Sequence, residues 1–139
     1  MIEVSLEREF AVDAKKLWAI LADFADISWI PGLEKVELEG EGVGMIRHVT
    51  APGMAVLHER MEAIDREKMI LDYSVPTVEY LRVKNHRAQA RVVALEGRRC
   101  RLIWSCESEP DGVSDAQATT NCQAFYEMAM GWIGDALAR

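Results

Sequence analysis

The order of hydrophobic patterns along the chain limits its fold more than any other feature. A period-two segment comes first, then a short helical pattern, then a long run of alternating segments, and finally one amphipathic helix. Short turns join the alternating segments, which implies antiparallel neighbours. This order predicts an α+β fold in which a curved antiparallel sheet wraps around the final helix and leaves a cavity beside it.

Seven strands are predicted from the alternation of apolar and polar residues. A break in the pattern at Pro76-Thr77 separates the fifth strand from the sixth. The predicted strands are Ile2–Phe10, Leu33–Gly40, Met45–Thr50, Val56–Ile64, Met69–Val75, Tyr80–Leu95 and Cys100–Ser108.

Two short helices are predicted after the first strand and one long helix at the end. Asp13 is a candidate N-cap for the first, and Asp26 to Trp29 indicates a second that Pro31-Gly32 ends. Ser114 or Asp115 can cap the final helix. Its apolar stripe consists of Ala118, Cys122, Phe125, Tyr126, Ala129, Trp132, Ile133 and Leu137.

Composition narrows the classes of function. A length of 139 residues predicts one domain, residues 1–139. The net charge of −7 and the scattered basic residues argue against nucleic acid as a partner. Neither a signal peptide nor a membrane span is visible, and the three cysteines match no zinc or redox spacing. We therefore expect a cytoplasmic protein with free thiols and no cofactor.

Strand alternation also predicts which polar side chains face the inside of the sheet, because apolar neighbours two residues away share their face. Arg47 lies between Met45 and Val49, and His86 precedes Ala88 and Ala90 on the same face. By the same argument Glu59 shares a face with Leu57, Met61 and Ala63, Tyr73 with Leu71 and Val75, and Trp104 with Leu102 and Cys106.

Arg47 and Glu59 fall on adjacent predicted strands and are both expected to point inward. Burial of either charge alone is costly, so they should pair with each other or with neighbours. Two interpretations remain open. The pair is either a structural ion pair at the cavity floor or a device that orients a polar or anionic group of a ligand.

His86 and Tyr73 are the candidate catalytic residues. The ordinary pKa of histidine suits proton transfer, and a base–orienter pair with Glu59 is one arrangement. Tyr73 could donate to a ligand carbonyl. The plain alternatives are a hydrogen-bonded pocket histidine and simple wall packing. Trp104, Phe125 and Met128 complete the candidate ligand-binding set, as cavity wall or core.

His48 and His58 fall on the opposite faces of their strands and are expected at the surface. They lie ten residues apart in the chain, and no third ligand is within reach in sequence. No metal site is therefore expected.

Several motifs together resemble a known superfamily. They include Leu21-Ala22-Asp23-Phe24, Gly42-Val43-Gly44-Met45-Ile46-Arg47 and Glu59-Arg60-Met61-Glu62-Ala63-Ile64-Asp65, with Trp29, Tyr73-Ser74 and Trp104 in order. In this respect the chain resembles the START-like (SRPBCC) superfamily, and within it the polyketide cyclase/dehydrase and lipid-transport family. The resemblance covers nearly the whole chain and implies the helix-grip fold.

The plant abscisic acid receptors belong to the same superfamily. Matching to them implies that Arg47, Glu59, Tyr73 and His86 face the cavity and that the gate-like turn is Pro52-Gly53-Met54-Ala55. The chain departs from them in two places. Ile30 stands where the receptors keep a lysine, and Glu79-Tyr80-Leu81 lacks their latch histidine. A hormone-receptor role is therefore not expected.

Three functions from different classes are compatible with these residues. The first is a module that binds a lipid, polyketide or aromatic-like molecule with a polar head. The second is a cofactor-independent aromatase/cyclase, with His86 as acid/base and Arg47 and Tyr73 stabilising an enolate. The third is a protein-interaction or co-chaperone role. The sequence leaves a homodimer open and does not identify the ligand.

Overall fold

The computed structural model of the protein describes all 139 residues. They form seven strands, two α-helices and one 3-10 turn. In chain order these are β1 (Ile2–Phe10), α1 (Ala14–Ala22), β2 (Lys35–Glu39), β3 (Ile46–Thr50), β4 (Leu57–Asp65), β5 (Ile70–Val78), the 3-10 turn (Glu79–Leu81), β6 (Val83–Ala94), β7 (Cys100–Pro110) and α2 (Asp115–Ala138).

All seven strands form one antiparallel sheet in the order β1-β7-β6-β5-β4-β3-β2. Consecutive strands pair from β2 to β7, and β1 then adds to the far side of β7. The inner face of the sheet and both helices bury one continuous core of 28 residues. This is the predicted helix-grip fold, with α2 packed mainly against β1.

Capping and an apolar stripe explain where α2 begins and which face it buries. The hydroxyl of Ser114 accepts a hydrogen bond from the Gln117 amide at 3.1 Å, which satisfies one free donor of the first turn. The buried residues recur at helical spacing; they are Ala118, Cys122, Tyr126, Ala129, Met130, Ile133 and Leu137. No helix of the structure is both long and apolar enough to cross a membrane.

The second short helix predicted at Asp26–Trp29 is not present. The segment forms turns, with one hydrogen bond from the Ile30 amide to the Ile27 carbonyl at 2.9 Å. The Asp26 carboxylate accepts from the Ser28 amide at 2.9 Å. Such a local side-chain bond offers the backbone an alternative to a helix.

The end of β5 also differs from the prediction. Pro76 does not interrupt the strand, which continues to Val78. The pairing of β4 with β5 starts only at Arg60 opposite Ser74, so the sheet is already open beside Pro76 and tolerates a residue without an N–H. The 3-10 turn and a left-handed Arg82 (φ 58°) then delay the start of β6 to Val83.

A bulge in β4 overturns one expected orientation. The register shifts between Met61 and Ala63, which inserts one extra residue into β4. Ala63, predicted to face inward, is exposed, and Ile64 packs against the core instead.

A second bulge in β6 positions a candidate site residue. The register with β7 shifts between Lys84 and Arg87, and Asn85 is left-handed with φ 49°. Asparagine tolerates this conformation better than most residues. Lys84 and Asn85 are consequently both exposed, and the side chain of His86 is buried.

Candidate functional site

Arg47 and Glu59 form an ion pair on the inner side of the sheet. They are direct partners in the register of β3 and β4, and Arg47 Nε donates to Glu59 Oε1 at 2.7 Å. Arg47 Nη1 also donates to the carbonyl of Phe24 at 3.0 Å, and the guanidinium lies 3.8 Å from the centre of the Phe24 ring. Arg47 is only 8% exposed, so the inward orientation inferred from alternation is correct.

Tyr73 and Trp104 form a hydrogen-bonded aromatic wall beside this pair. Trp104 Nε1 donates to the Tyr73 hydroxyl at 3.0 Å, and both side chains are buried. Burial, followed by the nearby carboxylate of Glu59, raises the pKa of Tyr73. The hydroxyl therefore stays protonated and can act as a donor.

His86 is hydrogen-bonded to different side chains from the one expected. Its Nδ1 is 2.5 Å from Ser108 Oγ and its Nε2 is 2.7 Å from the Tyr126 hydroxyl, so both ring nitrogens are engaged there rather than with Glu59. Burial lowers the pKa of His86 to about 4. The imidazole is therefore neutral at pH 7, with one nitrogen donating and the other accepting.

Tyr126 places a polar hydroxyl in the interior. The helical pattern of α2 predicted it only as a member of the apolar stripe. Its ring lies 5.0 Å from that of Trp104, and its hydroxyl bonds to His86. Burial, followed by the proximity of Tyr73, raises the pKa of Tyr126 well above its ordinary value. The sequence does contain a signal for this hydrogen bond, because a tyrosine on a buried helix face needs a partner for its hydroxyl.

The interior space of the grip is small. Its volume is about 10 Å³, enough for about one water molecule. It is lined by Ile20, Leu21, Ile27, Trp29, Arg47, Leu71, Tyr73, Ala90 and Trp104.

The cavity therefore differs from the expected one in lining and in roof. Glu59 and His86 do not line it, and α1 and the segment at Ile27–Trp29 close it rather than α2. Trp29 contributes to its small size. Its ring packs 6.5 Å from the Trp104 ring, and both side chains line the space together with Arg47.

A groove of about 540 Å³ opens at the surface between the β3–β4 turn and the end of β5. It lies where β4 separates from β5, and Met54, Val56 and Tyr80 are on its walls. The Tyr80 ring is 5.5 Å from the Phe125 ring. Burial, followed by the nearby carboxylate of Glu59, raises the pKa of Tyr80.

A second surface cleft, of about 270 Å³, lies between α1 and the end of α2. Ile20 and Trp29 line both this cleft and the interior space, so these two side chains are the partition between them. A larger depression of about 820 Å³ lies elsewhere, against outward-facing residues such as Glu3, Asp72 and Arg87. It contains no charged residue predicted for the site.

The remaining predicted residues lie nearer the surface. Phe125 is half-buried between Tyr80 and Trp132. Met128 is 50% exposed and does not line the interior space, in contrast to the expectation. It follows Phe125 by three residues, on a part of α2 that the sheet does not cover.

A sheet that grips α2, with the buried Arg47 side chain among aromatic residues, defines a START-like helix-grip protein. The chain matches the family described as polyketide cyclase/dehydrase and lipid transport over residues 1–134, and it belongs to this family. Among curated proteins, none is significantly similar in sequence.

Solved structures share the fold. An uncharacterised protein of Bacillus thuringiensis is 19% identical with a TM-score of 0.88, covering 99% of this chain and 100% of that one. Norcoclaurine synthase of Thalictrum flavum, in complex with dopamine and hydroxybenzaldehyde, is 22% identical with a TM-score of 0.75, covering 98% and 83%. A protein of Thermobifida fusca is 27% identical with a TM-score of 0.71, covering 85% and 78%.

Proposed function

We propose that the protein binds an apolar small molecule with an anionic head inside the grip. The observation that carries this proposal is the composition of the interior wall. Arg47 is its one charged residue, and the other eight lining residues are aliphatic or aromatic. A mostly apolar pocket with a single well-placed charge is typical of sites that orient a ligand by one end.

The bonding of Arg47 supports an anion as the head group. Its Nε and Nη1 are engaged by Glu59 and by the Phe24 carbonyl, whereas Nη2 makes no hydrogen bond within the protein. A guanidinium presents its donors in a planar fork that matches a carboxylate or an enolate. The neutral Tyr73 hydroxyl is a further polar group on the same wall.

The walls support a flat or aromatic body for the ligand. Trp104, Tyr73 and Trp29 surround the interior space. In norcoclaurine synthase the same fold holds dopamine and hydroxybenzaldehyde, so small aromatic molecules are compatible with the fold in that protein.

Binding requires the interior to open. The space of about 10 Å³ is far below the volume of about 300 Å³ or more that ligand pockets have. Trp29 is the side chain best placed to move, because it lies in a turn rather than in a helix or strand and is not fully buried. Its departure would join the interior to the cleft of about 270 Å³ beside α1.

The test compares an aromatic acid with its neutral analogue. Titration with 2-naphthoate and with 2-naphthalenemethanol should show binding of both to the wild type, the acid more tightly. The double variant Arg47→Met with Glu59→Leu should lose the preference for the acid and keep the affinity for the alcohol. Arg60→Met, which removes an exposed arginine from β4, is the matched control. Equal affinities of wild type and double variant for the acid would contradict the proposal.

A cofactor-independent cyclase is a second candidate, favoured by the row of buried hydrogen bonds Ser108–His86–Tyr126. In this arrangement the Tyr126 hydroxyl would take a proton from the ligand while passing its own proton to Nε2 of neutral His86, which leaves an enolate and an imidazolium. Exchange of the methyl protons of acetophenone in D₂O, followed by NMR, tests this candidate. Loss of catalysed exchange in Tyr126→Phe with unchanged binding would support it, and no exchange in the wild type would contradict it.

A further inference from the structure

Two histidines that the chain keeps ten residues apart meet on the outer face of the sheet. His48 on β3 and His58 on β4 are direct partners in the antiparallel register. Their Nδ1 atoms are 2.7 Å apart, and the ring centres are 4.9 Å apart. The two Nδ1 atoms therefore face each other and share one proton.

A carboxylate holds the outer ring nitrogen of His48. Glu39 Oε1 is 3.2 Å from His48 Nε2. A carboxylate in this position favours the tautomer with the proton on Nε2, which leaves the Nδ1 lone pair free to accept. Carboxylates are the usual partners of the second nitrogen in metal-binding histidines.

No positive side chain is directed at the pair. Arg60, two residues after His58 on the same face, bonds to Glu62 at 3.2 Å. Lys35 pairs with Glu37 at 2.9 Å, and Glu37 is the direct partner of His48 in the register with β2. The surroundings of the two imidazoles are therefore acidic, which favours a cation.

We propose that His48 and His58 form a two-histidine site for a borderline divalent cation such as Zn²⁺, Ni²⁺ or Cu²⁺, with Glu39 as the carboxylate that orients His48. Imidazole nitrogen is a preferred ligand of these ions. The ion would replace the proton that the two Nδ1 atoms now share. For His58 this requires only that its proton move to Nε2, so both rings remain neutral.

The required adjustment is small. Two imidazole nitrogens on one tetrahedral Zn²⁺ lie about 3.3 Å apart for Zn–N bonds of about 2.0–2.1 Å. The Nδ1 atoms must therefore separate by about 0.6 Å from 2.7 Å. His58 is exposed and the His48 side chain is 27% exposed, so both rings can rotate.

The site would be open and exchangeable. No group of three or more His, Cys, Asp or Glu side chains in the structure is arranged to hold a metal ion. The two rings would therefore be the whole protein contribution, and water would complete the coordination. The three cysteines are all buried and do not offer a competing surface ligand.

Calorimetric titration of untagged protein with ZnCl₂, together with the EPR spectrum after addition of one equivalent of Cu²⁺, tests the proposal. The wild type should bind one Zn²⁺, and the EPR spectrum should show coupling to two imidazole nitrogens. His48→Gln and His58→Gln should each weaken Zn²⁺ binding by at least tenfold. Glu39→Gln should weaken it by about tenfold, as expected for an outer-shell carboxylate.

Glu96→Gln is the matched control, since it removes an exposed carboxylate from a distant hairpin turn and should leave binding unchanged. Circular dichroism must show that each variant is folded. Zn²⁺ binding that persists in the folded double variant His48→Gln, His58→Gln, or a wild type that binds no Zn²⁺, would overturn the proposal.

Discussion

Arg47 and Glu59 stand opposite each other on β3 and β4, and their side chains are joined by a hydrogen bond of 2.7 Å on the inner side of the sheet. The same guanidinium bonds to the carbonyl of Phe24. The buried Arg47 guanidinium thus connects two strands with the segment that follows α1. The stability of the fold and the polarity of the interior depend on the same side chain.

Removal of Glu59 alone should be strongly destabilising. Glu59→Ala leaves the arginine buried without its counter-charge, and we expect a loss of about 2–4 kcal/mol in the free energy of unfolding. The double variant Arg47→Met, Glu59→Leu should lose less than the single variant. Urea denaturation measures both. A loss within about 0.5 kcal/mol for the single variant, the range of an exposed control such as Glu67→Ala, would contradict the burial of the pair.

His86 should make stability depend on pH. Its pKa is lowered to about 4 in the folded protein, whereas the unfolded chain has the ordinary value of 6.5. Below pH 6.5 the unfolded state therefore binds a proton that the folded state does not bind. The free energy of unfolding consequently falls as the pH falls from 6.5 to 4. Protonation of His86 lowers the free energy of unfolding by at most about 3 kcal/mol over this range.

Carboxylates titrate in the same range, so the measurement is a comparison with His86→Gln. This variant keeps polar atoms near Ser108 and Tyr126 but has no titrating ring. Chemical denaturation between pH 4 and pH 7 should show a shallower slope for the variant than for the wild type. Equal slopes would mean that His86 is not held neutral by burial.

The β3–β4 turn should exchange its amide protons faster than the β4–β5 turn. In the second turn the Asp65 carboxylate accepts from the amides of Glu67 and Lys68 at 3.1 and 2.9 Å. In the first, the one bond is from the Met54 amide to the Ala51 carbonyl at 3.2 Å. Hydrogen exchange by NMR tests this difference.

The same experiment identifies the entrance. A bound apolar ligand should slow exchange at the amides of Gly53 and Met54, after Pro52, if this turn covers the mouth of the groove. Slowing confined to residues 26–30 would instead assign the entrance to Trp29.

Trp29→Ala should open the interior at a moderate cost. Because Trp29 is half-buried, we expect a loss of about 1–3 kcal/mol, below the 3–5 kcal/mol of a fully buried aromatic residue. Indole should then bind in the space vacated and raise the melting temperature of the variant. Trp132→Ala is the control, since Trp132 is also half-buried but packs on Phe125 and does not border the interior. Equal stabilisation of both variants by indole would contradict the partition role of Trp29.

Period-two alternation was enough to predict where the charged and aromatic residues of the strands point. Arg47, Tyr73, His86 and Trp104 are all buried, because one buried face forces every second residue inward. The same rule failed at Ala63. One extra residue in β4 reverses the alternation beyond Met61, and no local pattern in the sequence marks that position.

The polar contacts could not be predicted in the same way. Alternation specifies a face but not a distance, so His86 was expected near Glu59 and instead bonds to Ser108 and Tyr126. The helix predicted at Asp26–Trp29 is absent for a local reason, the hydrogen-bonded turn from Asp26 to Ser28. The difference matters because this segment places Trp29 beside the interior space.

The amino-acid sequence by itself determined the order of the strands, the curved antiparallel sheet, the first and final helices and the inward position of Arg47. These follow from periodicity and turn chemistry, which act over a few residues. Only the tertiary structure decided that Trp29 fills the cavity, that Tyr126 meets His86 and that His48 meets His58. Each depends on side chains from segments distant in the chain, whose separation is set by register, bulges and packing.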